Sequence, residues 1–237
     1  MKQSLLFIHG FRGNKLGLKE LANKFPKNKY DVHLVNVPPA GGKSLSEYSA
    51  RLYARFIGSY IRKNKLDRPI LVGHSMGSII AAATAERYPE LVSDKLILLA
   101  PISVKPSPFF AMLTPLAAIL PNKIVGFITT KYLFIPQDKD LFEKTLQTTY
   151  RCGADYTSKS DIFKAGKFSV SCAISDFTFK KDTLFLSGEH DKLIPRQKTE
   201  DIAQKIGAKT AYIKNSGHLL NYEEPGKTAA AIKRFIK

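Results

Sequence analysis

Six short apolar runs, separated by longer stretches that are mostly helical in pattern, constrain this chain more than any other feature. The runs lie at residues 4–9, 31–37, 69–73, 95–100, 183–187 and 209–213. Most are continuous in Leu, Ile, Val and Phe, the pattern of strands covered on both faces. Segments 16–24, 46–63, 76–88, 196–206 and 225–236 predict helices. Within 46–63, Tyr48, Leu52, Ala54, Phe56, Tyr60 and Ile61 form an apolar stripe at helical spacing, expected to pack on the core. Such alternation calls for an α/β architecture: a mostly parallel sheet of about six strands with helices on both faces.

The alternation stops between Pro101 and Lys181. That stretch holds Pro101, Pro106, Pro108, Pro115, Pro121 and Pro136, an apolar first half and a Ser/Thr-rich second half. A structureless loop of about eighty residues is uncommon in a compact domain. Residues 102–180 are therefore expected to form an inserted subdomain of short helices, within a single domain spanning 1–237. The 237 residues suit one domain, and an apolar content of 44% supplies a core and excludes wholesale disorder.

The formal charge of +17 invites a nucleic-acid or membrane reading. Of 37 basic residues only 9 are Arg, leaving 28 Lys, and no tract of five consecutive basic residues occurs. Arg suits bidentate phosphate and base contacts, whereas dispersed Lys suits a solubilising coat. No nucleic-acid partner is expected, and weak attraction to an anionic membrane surface is the one functional use left for the charge. Residues 5–8 are too short for the apolar core of a signal peptide, and residues 106–122 are interrupted by three prolines. A cytoplasmic protein is expected. Two cysteines, Cys152 and Cys172, provide no disulfide framework or zinc-binding spacing, and free thiols are expected.

The densest chemical signal is Gly73-His74-Ser75-Met76-Gly77, set between a strand run and an Ala-rich helical stretch. A nucleophile raised on a tight strand-to-helix turn needs small residues two positions before and after it. The helix beginning behind Ser75 also turns backbone N–H groups and a positive dipole end toward developing negative charge. Alone, such a pentapeptide is weak; its strand and helix context makes it specific.

With this motif the sequence resembles the α/β-hydrolase superfamily over nearly its whole length. His9-Gly10-Phe11 follows the first strand, as does the turn supplying an oxyanion-hole amide in that family. Pro38-Pro39-Ala40-Gly41-Gly42-Lys43-Ser44 sits where the family has a Pro/Gly/Ser loop. Gly188-Glu189-His190-Asp191 is similar to its acid-bearing turn. Ser216-Gly217-His218 follows the last strand, and Tyr222-Glu223-Glu224-Pro225 opens the terminal helix. The order Ser75, Asp191, His218 matches the Ser…Asp…His order of that fold. Members commonly begin with antiparallel strands ahead of the His9-Gly10 strand, so a reduced sheet of roughly six strands is expected here.

The resemblance implies Ser75 as nucleophile, His218 as base and Asp191 as the carboxylate orienting it. It implies the backbone N–H groups of Phe11 and Met76 as oxyanion donors, with no metal or organic cofactor. His9 and His74, in turns beside the nucleophile, are expected to brace backbone, and His33 to pack mid-strand. His190 competes with His218 for the base, and Glu189, Asp182 and Asp176 compete with Asp191 for the acid. Gly42-Lys43-Ser44 echoes a phosphate-binding loop, but Val37 stands where that motif needs glycine. An aspartate-nucleophile reaction is unavailable because the turn carries Ser75.

In this family such an insertion caps the nucleophile. Its apolar first half makes Phe109, Phe110, Met112, Leu113 and Leu116 candidates for lining a substrate pocket. The expected activity is hydrolysis of carboxylic esters with an apolar acyl group through an acyl-enzyme on Ser75. A thioesterase, a C–C bond hydrolase or a small peptidase could use the same residues, and a receptor-like protein could keep the pocket with little turnover.

Overall fold

The computed structural model describes residues 2–107 and 158–237, together with Ala111, Met112, Thr114, Pro115, Leu120 and Ile124 between them. Six strands form one sheet: β1 (Gln3–Ile8), β2 (Tyr30–Val35), β3 (Ile70–His74), β4 (Lys95–Leu99), β5 (Asp182–Gly188) and β6 (Lys209–Ile213). Their order is β2-β1-β3-β4-β5-β6, and every neighbouring pair is parallel. This is the six-stranded sheet the apolar runs predict, with strand ends moved by one or two residues.

Burial explains the composition of the strands. Every residue of β3 is buried, and so is all of β1 after Gln3, whereas the edge strands β2 and β6 are largely half-exposed. The edges carry Asp31, His33 and Thr210 inside their strands, none of them buried, whereas the polar residues inside β1 and β5, Ser4, Thr183 and Ser187, are buried. Successive residues face opposite sides. Leu6, Ile8, Leu71, Leu96 and Leu98 pack on one face with α2 (Ala50–Lys63), α3 (Met76–Arg87) and α5 (Arg196–Ile206). Leu5, Phe7, Val72, Ile97 and Leu186 pack on the other with α1 (Lys19–Ala22), α6 (Leu220–Glu223) and α7 (Pro225–Ile236). A fourth helix in chain order, α4 (Lys159–Ser171), lies within the 102–180 segment and sends Phe168 into the first of these cores.

The helix over 46–63 starts later than expected and is rotated. It begins at Ala50 behind Ser49, whose backbone is extended, and buries Tyr53, Ala54, Ile57, Gly58 and Ile61. Of the expected stripe, Ala54 and Ile61 belong to that buried face, and Tyr48, Phe56 and Tyr60 pack against the same core while partly buried. Gly58 lies on this face, where a Cβ would stand 3.1 Å from the Tyr88 ring, so glycine eases its approach to the end of α3. Burying Tyr53, Ile57 and Ile61 contributes roughly 1.5–3 kcal/mol per side chain.

Residues 16–24 form a short 3-10 turn, Lys15–Leu18, followed by α1. Asn14 caps that turn by accepting the Leu16 N–H at 2.8 Å. Sheet order reverses between β1 and β3, since the chain runs outward from β1 to β2 and then crosses back beyond β1. In open parallel sheets, ligands bind outside the carboxyl ends of the strands at such a switch point. His9 and Ser75 both follow strands that flank it.

Candidate active site

Ser75 occupies the single residue between β3 and α3, with φ 52° and ψ −119°. A positive φ is costly for a residue with a Cβ and persists only where surrounding structure fixes it. Three contacts fix it here. The Ser75 N–H donates to the Leu99 carbonyl at 3.0 Å, and the Ser75 carbonyl accepts both the Ser78 N–H at 2.8 Å and the Ser78 hydroxyl at 2.6 Å.

The flanking glycines are required by space. A Cβ on Gly73 would strike the Gly77 carbonyl, and one on Gly77 would strike the carbonyl of Ile8. Gly10 is tight as well, since a Cβ on it would lie 3.0 Å from Ser75 Cβ. The turns after β1 and β3 thus meet backbone to backbone at the switch point.

His218 stands on the loop between β6 and α6. Its Nε2 lies 3.0 Å from Ser75 Oγ and its Nδ1 lies 2.9 Å from Asp191 Oδ2. The His218 and Asp191 side chains are only 2% and 3% exposed. Asp191 Oδ1 accepts the N–H groups of Leu193 at 2.9 Å and Ile194 at 3.1 Å. Burial pushes the Asp191 carboxyl up, but His218 and these two amides outweigh it and hold it below the usual carboxylate range. An ionised Asp191 accepts a hydrogen bond from the His218 Nδ1–H, leaving the Nε2 lone pair facing the Ser75 hydroxyl. The arrangement can therefore take a proton from Ser75 and stabilise the resulting imidazolium.

The other candidates are elsewhere. His33 pairs with Asp31 at 2.8 Å on the edge strand, and His190 is exposed beside Glu189. Asp182 is at the opposite end of β5, within 3.3 Å of Lys209, and Asp176 accepts the Ala173 N–H. His9 and His74 bond backbone. His9 Nδ1 donates to the Gly10 carbonyl at 2.9 Å while its Nε2 accepts the Val37 N–H at 3.0 Å. Burial lowers its pKa to about 4, so the ring is neutral and ties the turn after β1 to the loop after β2. His74 Nε2 lies 3.0 Å from the carbonyl of His218.

Met76 is the first residue of α3, so its N–H has no acceptor within the helix. Phe11 lies in the turn after β1, and its ring approaches α4, where a Cβ on Gly166 would stand 3.1 Å from Phe11 Cζ. Of the expected pocket residues, Met112 is 62% exposed. Phe109, Phe110, Leu113 and Leu116 lie outside the described residues, as does Cys152. Cys172 is a half-buried free thiol whose pKa burial raises to about 11.

Three contacts around the site pair residues that the sequence does not link to one another. Ser44 donates to Asp161 Oδ2 at 3.0 Å, linking the loop after β2 to the first turn of α4. The Tyr53 hydroxyl donates to the Pro38 carbonyl at 2.6 Å. Glu223 accepts the Gly217 N–H at 2.7 Å, holding the residue before His218. Among the described residues, no group of His, Cys, Asp and Glu is placed to hold a metal ion, and no helix is long and apolar enough to cross a membrane.

Comparison with known proteins gives a consistent picture. The family profile described as alpha/beta hydrolase fold matches residues 3–225. An "Uncharacterized hydrolase YugF" of Bacillus subtilis is 24% identical across 100% of this chain and 90% of its own length. A Haemophilus influenzae protein named "Putative esterase/lipase" is 28% identical across 98% of this chain and 82% of its own length. Among solved structures, an esterase from Exiguobacterium antarcticum superposes with a TM-score of 0.85 at 19% identity, covering 99% of this chain and 91% of that one. A thermophilic esterase from Thermogutta terrifontis gives 0.84 at 18% identity, covering 100% and 90%.

Proposed function

The chain belongs to the alpha/beta hydrolase fold family, and we propose that within it the protein is a serine hydrolase of carboxylic esters, acting through an acyl-enzyme on Ser75. The observation that carries this reading is the continuous line from Asp191 Oδ2 through the His218 ring to Ser75 Oγ, closed by bonds of 2.9 and 3.0 Å. Esterase and lipase wording in the names of relatives supports an ester as the substrate.

In this reaction Ser75 Oγ attacks the acyl carbon as its proton passes to His218 Nε2, and the carbonyl oxygen becomes an oxyanion. The N–H groups of Phe11 and Met76 receive that charge, each contributing about 3 kcal/mol to the transition state. The intermediate collapses as His218 returns the proton to the leaving alcohol, and Ser75 retains the acyl group as an ester. Water then repeats the sequence with His218 as base, releasing a carboxylic acid and restoring the Ser75 hydroxyl. Throughout, Asp191 holds the His218 tautomer and offsets the imidazolium charge.

The segment 102–180 acts in this reading as a cap. Its helix α4 touches Phe11 at Gly166 and bonds Ser44 through Asp161, so it reaches the loops after β1 and β2. The Phe11 ring and the buried Met76 favour an apolar acyl group. An acyl series of p-nitrophenyl esters from acetate to palmitate tests the assignment. Turnover should depend on chain length and vanish in Ser75→Ala, and turnover retained by that variant would overturn it.

A further inference from the structure

A proton-transfer pair depends on where its base is held, and His218 lies on a loop between β6 and α6. Asp191 and Ser75 fix its ring at Nδ1 and Nε2. In the proposed reaction, however, the Nε2 contact is remade twice, and for half of the cycle the Ser75 oxygen carries the acyl group. Something that does not change during turnover must hold the backbone.

His74, immediately before the nucleophile, is the group in that place. Its Nε2 lies 3.0 Å from the His218 carbonyl, and both residues are buried. A carbonyl only accepts, so His74 Nε2 carries the proton and donates it. The two rings are 5.3 Å apart at 55°. Burial, with a smaller effect from His218, lowers the His74 pKa to about 3, so the ring stays neutral and adds no charge beside the forming imidazolium. The ring is itself confined, because a Cβ on Gly10 would stand 3.2 Å from His74 Nδ1. One side chain thus touches the turns after β1 and β3 and the loop after β6.

We propose that His74 is a positioning residue, its Nε2–H locking the His218 main chain to the nucleophile turn so that Ser75 and His218 keep their separation through both halves of the cycle. The inference rests on the serine-hydrolase reading above. Glu223, accepting the Gly217 N–H at 2.7 Å, is a second hold on the same loop, at the residue before His218.

Two substitutions separate donation from space-filling. His74→Gln keeps an N–H donor at similar reach, whereas His74→Leu fills the volume without one. His74→Leu should lower kcat by about 10–100-fold with KM nearly unchanged, the loss expected from misplacing a reacting group. His74→Gln should recover most of kcat, with both variants melting as cooperative folded proteins. Wild-type kcat in His74→Leu, or an equal loss in folded His74→Gln, would overturn the proposal. If His74→Leu does not fold, His74→Met supplies the same comparison. Failure of the underlying reading is separately visible as wild-type turnover that survives Ser75→Ala.

Discussion

The carbonyl of Gly217 lies against the Cα of Gly188, so close that the last residue of β5 and the residue before His218 leave no room for a Cβ between them. The His190 N–H donates to the Ser216 carbonyl at 2.9 Å beside this contact. The loops bearing Asp191 and His218 are thereby held as one surface. Gly188→Ala should push the His218 loop off its position. It should cost about 1–3 kcal/mol of stability, as overpacking does, and lower kcat more than it raises KM. Urea unfolding and ester kinetics on one preparation check both.

In the proposed reaction Asp191, 2.9 Å from His218 Nδ1, orients that ring without meeting the substrate. Asp191→Asn keeps the shape but offers an amide to His218 Nδ1, favouring the wrong tautomer. Its turnover should fall by about 10⁴-fold, with an unchanged far-ultraviolet circular dichroism spectrum and little change in KM. A loss below tenfold in the folded variant would contradict the assigned role.

Acid should destabilise the fold through two histidines outside the proton-transfer line. Burial lowers His9 to about 4 and His74 to about 3, from an ordinary value of 6.5. Between those values and 6.5 the unfolded chain binds protons that the folded chain refuses. The stability is therefore complete above pH 6.5 and lost as pH falls toward about 4 for His9 and about 3 for His74. Each histidine contributes a slope of roughly 1.4 kcal/mol per pH unit in that window. Urea unfolding at pH 7, 6 and 5 measures it. The double variant His9→Gln/His74→Gln should flatten the dependence, and an equally steep slope in that variant would contradict the cause.

Much of this molecule is legible in its sequence because strand and helix periods differ. Fully buried strands such as β3 appear as unbroken apolar runs, and helices α5 and α7 fall at the predicted residues. The Ser75 turn is legible for a stricter reason: steric exclusion at Gly73 and Gly77 restricts those positions to one residue type. The buried face of α2 is less so, since the helix is apolar on more than one side and Tyr88, which packs beside Gly58, lies thirty residues further along the chain. The bond from Ser44 to Asp161 spans 117 residues between two common polar side chains. Ser44 ends a recognisable loop, but nothing in the sequence pairs it with Asp161, and only the folded chain brings them together.

Labelling with a fluorophosphonate, followed by peptide mapping, tests the proposed chemistry most directly. The reagent phosphonylates a serine whose hydroxyl is activated by a neighbouring base and expels fluoride. One equivalent should attach at Ser75, with labelling abolished by Ser75→Ala and strongly slowed by His218→Ala. An adduct on another residue, or undiminished labelling of Ser75→Ala, would contradict Ser75 as the nucleophile.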